Sequence, residues 1–85
     1  MKIARLIFNP IQENTYIVWD DTHQAAIIDA GNMGERENEI LDKFLADRGL
    51  KPVLAINTHG HFDHLLGVNH LVERYGAKFA LSSKD

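Results

Sequence analysis

The chain of 85 residues is 45% hydrophobic and 25% charged, the profile of one folded unit rather than of a disordered or fibrous chain. It has no cysteine, which excludes disulfide staples and thiolate metal sites and leaves only nitrogen and oxygen ligands for any metal. A net charge of −3 offers no basic field for nucleic acid, no stretch approaches the roughly 20 apolar residues of a membrane span, and the amino-terminal residues do not read as a signal peptide, so a cytoplasmic setting is expected.

Lys2 to Phe8 and Thr15 to Trp19 are rich in Ile, Val and aromatic residues and are separated by Asn9-Pro10 and Gln12-Glu13-Asn14, so they read as two strands of a meander. Asp20-Asp21-Thr22-His23 is a turn by composition. Ala25 to Ile28 is a third strand, ending at Asp29-Ala30-Gly31, and the three are expected to pair antiparallel. Met33, Ile40, Leu41, Phe44 and Leu45 follow at helical spacing, with Glu35, Glu37 and Glu39 toward the start and Gly49 just past Arg48: an amphipathic helix with a solvated acidic face and a glycine stop. Lys51-Pro52 opens the run Val53 to Asn57, apolar enough to predict a strand covered on both faces. Val68, Leu71, Val72 and Tyr75 then mark a second helix closed by Gly76, and Lys78 to Leu81 a final strand. Ser82-Ser83-Lys84-Asp85 reads as the start of a further helix. The expected order is β-β-β-α-β-α-β, an α/β layout in which residues 1–85 form one domain cut at its carboxyl end.

Between the fourth strand and the second helix lies Thr58-His59-Gly60-His61-Phe62-Asp63-His64, at the strand end where α/β layouts place ligands. It concentrates three of the five histidines of the chain and one aspartate. Residues two apart in extended chain point the same way, so His59, His61 and Asp63 project to one side, and His64 follows where the helix begins. His59 and His61 can serve one metal, and Asp63 with His64 a second. Such a pair lowers the pKa of a bridging water and polarises the carbonyl or phosphoryl oxygen it attacks, which makes hydrolysis the natural reaction. Asp63 would also touch the nucleophile and could orient it or take its proton, while its alternative reading is a helix N-cap. Asp29 reads either as a turn residue or as a carboxylate that supports the metal loop from behind. Gly67, costly in a helix, marks a close approach of backbone or ligand, or a packing need. His23 and His70 read as solvated or packing residues, and Thr58 as the closure of its strand end.

Thr58, His59, His61, Asp63, His64 and Gly67 match in spacing and identity the signature of the metallo-β-lactamase-fold superfamily. Asn14-Thr15-Tyr16-Ile17-Val18 and Ile28-Asp29-Ala30-Gly31 also resemble its first strands, particularly those of the hydroxyacylglutathione hydrolase (glyoxalase II) branch. The resemblance implies an αββα sandwich of which this chain is the amino-terminal half. It implies a binuclear site, with zinc by default and iron or manganese as alternatives, that hydrolyses a small thioester or ester through a metal-bridging hydroxide. A further histidine, a bridging aspartate and a last histidine would lie beyond Asp85. Val68 separates Gly67 from Asn69, where hydroxyacylglutathione hydrolases place asparagine directly after glycine. A nuclease of the same superfamily is disfavoured by the acidic balance, a secreted β-lactamase by the amino terminus, and an oxygen-reducing diiron relative by His61, where that branch carries glutamate. The competing non-enzyme reading is a folding unit or binding module without activity. With two protein ligands per metal, the 85-residue chain alone is expected to bind zinc weakly and to turn over nothing. Calorimetric titration checks this, and nanomolar binding together with thioesterase activity would sink it.

Overall fold

Alternating burial along the strands and a three-to-four-residue apolar repeat along the helices build the elements in the expected order. The computed structural model describes residues 1–8, 13–32, 34–57 and 65–81. These contain β1 (Lys2–Phe8), β2 (Glu13–Trp19), β3 (Gln24–Ile28), α1 (Gly34–Asp47), β4 (Lys51–Asn57), α2 (Leu65–Tyr75) and β5 (Lys78–Leu81). The final serine-rich segment lies outside the described residues, so a helix start there is not among the elements compared.

The strands form one sheet in the order β1-β2-β3-β4-β5. β1, β2 and β3 pair antiparallel as a meander, whereas β3–β4 and β4–β5 are parallel pairs joined through α1 and α2. The two helices touch each other, which puts both crossovers on one face of the sheet, as right-handed connections between successive parallel strands require. Phe8, Ile17, Ala25, Ile27 and Ala55 from that face meet Leu41 and Leu45 of α1 and Val68 and Leu71 of α2 in a single buried cluster. Trp19 closes one flank of the core edge-on against Phe44, at a centroid distance of 6.1 Å. The Arg48 guanidinium carbon caps the same ring 3.9 Å from its centroid.

Both expected glycine stops are present. Gly49 has φ of 63°, its N–H donates to Ala46, and the N–H of buried Leu50 reaches back to Leu45, which closes α1 with a Schellman pair. Gly76, with φ of 70°, ends α2 by donating to Val72. The apolar stripe of α2 is narrower than its spacing implied, because Val72 is exposed while Val68 and Leu71 are buried.

The expectation that β4 is covered on both faces is corrected by the structure. Pro52, Ala55 and Asn57 are buried, but Val53, Leu54 and Ile56 are only partly so. The reason is that both helices lie on one side. On the other, cross-strand registers align two rows, one running Ile3, Val18, Ala26, Leu54 and the second Arg5, Tyr16, Ile28, Ile56. Ile3 is 66% exposed and Ile7 54%, so a largely apolar sheet face is left uncovered by the described residues.

Where the helices meet, Asp42 of α1 gathers three partners from α2. Its Oδ1 accepts from the Tyr75 hydroxyl at 2.6 Å and lies 2.8 Å from His70 Nε2, and its Oδ2 lies 3.5 Å from Arg74 Nε. His70 also stands edge-on to the Tyr75 ring. His70 is thus a half-buried packing residue, as expected, whereas His23 sits exposed in its turn with φ of 65°. Burial, and then the bond to Asp42, raises the Tyr75 phenol above the usual tyrosine value of about 10. A folded value above the unfolded one means that the helix clamp is intact below about pH 10 and weakens as pH rises through the raised value. Asp42→Asn is expected to bring tyrosinate formation at Tyr75 part of the way back toward pH 10, read by ultraviolet absorbance in a Tyr16→Phe background. An unmoved titration would show that Asp42 does not govern the phenol.

Candidate metal-site edge

Because β3, β4 and β5 run parallel and β2 returns from β1, the carboxyl ends of β1, β3, β4 and β5 all reach the same edge of the sheet. At that edge β3 gives way to Asp29, a buried aspartate in the left-handed region with φ of 56°. Aspartate tolerates this conformation better than most side chains do. It lets the Asp29 N–H donate to Ile56 of β4 at 2.8 Å, one residue before Asn57. Thr15 of β2, fully buried, fixes the same turn from the other side: its hydroxyl donates to the Asp29 carbonyl at 2.9 Å and accepts from the Gly31 N–H at 2.8 Å. Asn32 completes the turn by donating through Nδ2 to Asn38 of α1 at 2.6 Å.

The first turn of α2 rests on this turn. A Cβ at Gly67 would stand 2.5 Å from the Ala30 carbonyl oxygen and 2.5 Å from Asn32 Oδ1. Of the two readings for Gly67, the close approach is therefore one of packing between helix backbone and loop backbone. Asn57, the last residue of β4, is 1% exposed, and its Oδ1 has no hydrogen-bond partner among the described residues; the same holds for Asn32 Oδ1.

His59, His61, Asp63 and His64, the expected metal ligands, lie in segment 58–64, outside the described residues, and so does Thr58. Of the expected site residues, Asp29 alone is described, and it stands at the edge from which that segment departs. Among the described residues no three histidine, aspartate or glutamate side chains converge as a metal site. The described part thus supplies a frame around both ends of the segment: Asn57 in a paired strand before it and Gly67 docked on Ala30 after it. A depression of about 250 Å³ lined by Val18, Trp19, Ala25 and Leu54 lies toward the opposite edge, away from these groups.

The metallo-beta-lactamase superfamily model matches residues 8–85. The chain belongs to this superfamily. Over 75 residues it is 33% identical to a probable metallo-hydrolase, YqgX, of Bacillus subtilis (strain 168), covering 88% of this chain and 33% of that protein. Over 78 residues it is 35% identical to the hydroxyacylglutathione hydrolase GloC of Haemophilus influenzae, covering 92% of this chain and 35% of that one. Among solved structures, a B3 metallo-beta-lactamase, BLEG-1, superposes with a TM-score of 0.81 at 30% identity, over 98% of this chain and 38% of its own. ETHE1 from Myxococcus xanthus superposes with a TM-score of 0.83 at 26% identity, over 99% and 36%. The five-stranded sheet with two helices is therefore the amino-terminal part of the metallo-beta-lactamase fold, and the chain spans about a third of the length of these relatives rather than half.

Sequence reasoning passed over the Thr15 latch and the two buried asparagine oxygens. The available signal was slight: a polar residue closing an otherwise apolar strand at Asn57, and a threonine in the middle strand of a meander. Gly67→Ala tests the frame. Helix propensity alone would favour alanine by about 1 kcal/mol, but one of the clashing atoms is backbone, and overpacking of this kind costs about 1–3 kcal/mol or more. A net loss of stability in urea unfolding is expected, and an unchanged or higher midpoint would refute the close contact.

Proposed function

We propose that these residues form the first third of a metal-dependent hydrolase domain acting on a small thioester or ester. The observation that carries the reading is the junction between β4 and α2: the donor-rich segment 58–64 leaves a strand anchored at Asn57 and rejoins a helix docked at Gly67, next to buried Asp29. His59 and His61 would hold one metal ion, and Asp63 with His64 a second. The donor set of imidazoles and a carboxylate fits zinc and also accepts iron or manganese. Bound there, the metal ions supply Lewis acidity toward the substrate carbonyl and lower the pKa of a water molecule.

The side chains of the chain do the rest. Asp63 orients the attacking water and is the group placed to take its proton. Asp29 holds the ligand segment from behind, in a turn whose backbone is bonded to β4 and to Thr15. Similarity to a hydroxyacylglutathione hydrolase favours a thioester over other substrates in this reading. A small molecule in the cytoplasm is the proposed substrate setting; neither membrane nor nucleic acid is. None of the described helices is long and apolar enough to cross a membrane.

The test uses the full-length protein carrying these residues. Loaded with zinc, it is expected to hydrolyse a hydroxyacylglutathione thioester, to lose activity on chelation and regain it when zinc is returned, and to lose it in His61→Ala. Hydrolysis that survives both chelation and the substitution would refute the assignment.

A further inference from the structure

Asn57 is the last residue of β4, in register with Leu81 on one side and following Ile56, which accepts from Asp29 on the other. It is 1% exposed, on the same face of the strand as Ala55, where α2 packs. A carboxamide oxygen buried without a donor is costly, and an apolar side chain of similar shape would remove the cost. The other orphan, Asn32 Oδ1, has a local account: its side chain is anchored through Nδ2 to Asn38, and its oxygen lies against Gly67. Asn57 Oδ1 has no such account among the described residues. It sits at the point where the proposed ligand segment begins, on a strand paired on both sides and therefore fixed in place.

We propose that Asn57 is a positioning residue for the metal-ligating segment: its Oδ1 accepts a hydrogen bond from an N–H of residues 58–64 when the metal binds and lacks that donor without it. A histidine that ligates a metal through one ring nitrogen donates the N–H of the other to a nearby acceptor, which fixes the ring orientation and raises ligand basicity. Asn57 offers that acceptor without a charge, from a strand rather than a loop. The metal-free chain then carries a strain that metal binding relieves, and part of the binding free energy comes from satisfying this one atom. The inference rests on the metal-dependent reading above and adds to it a residue that is itself no ligand.

Zinc affinity by calorimetry and thermal midpoint without metal are measured on the chain and on two variants. Asn57→Leu is expected to weaken zinc binding about tenfold or more, the range found for partners of metal ligands, while the metal-free midpoint stays level or rises. Asn57→Asp keeps the acceptor and is expected to bind zinc as tightly as the parent or more so. The proposal is overturned if Asn57→Leu binds zinc like the parent, if it loses metal-free stability or fails to fold, or if Asn57→Asp weakens binding as much as leucine does. A parent chain that takes up no zinc at all overturns the metal reading together with this one, and the parent titration tells that failure apart from a failure of the asparagine alone.

Discussion

The first turn of α2 lies so close to the turn after β3 that only a hydrogen atom fits at position 67. The helix carrying the far end of segment 58–64 is therefore placed by contact with the Ala30 carbonyl. That carbonyl is placed in turn by Asp29, held in a left-handed conformation, and by the Thr15 hydroxyl that bridges Asp29 and Gly31. A chain of short, directional contacts thus runs from the middle of the meander to the start of α2. Loosening any member would let the segment between β4 and α2 change its span. Metal chemistry is sensitive to that, because ligand geometry must be held to a fraction of an ångström.

Forces are distributed differently over the rest of the fold. One sheet face is dry, filled by aliphatic side chains from two helices whose far ends are tied together at Asp42 by a tyrosine, a histidine and an arginine. The other face presents Ile3, Val18, Leu54 and Ile56 in continuous rows with no element of the described residues over them. Apolar surface of that extent is buried in stable proteins, and the relatives, about three times as long, have the additional chain with which to do so.

Much of this was legible in the sequence, because the strongest signals were local. Gly49 and Gly76 ended their helices where expected, β1 and β5 fell on their predicted spans, and the antiparallel-to-parallel change of the sheet followed from where helices interrupt strands. The motif of segment 58–64 identified the superfamily, although its ligand roles fall outside the described residues. What misled was hydropathy without neighbours: β4 reads as doubly covered, and Val72 as core, because composition reports how apolar a residue is and not which face a helix occupies. What was invisible was hydrogen bonding across long separations. Thr15 meets Gly31 and Asp42 meets Tyr75 only once the sheet and its crossovers exist.

The sheet has two rims with different obligations. At one, the turn at His23 and the two glycine-closed helix ends satisfy their own backbone groups, so their role is complete in the fold itself. At the other, four strand ends open into connections, and the rigid parts, Thr15, Asp29 and Gly67, stop short of them. A protein built this way can acquire new chemistry by exchanging residues along a single rim while the opposite rim and both helices stay as they are. One scaffold can therefore carry hydrolases of different substrates without a change in how it folds.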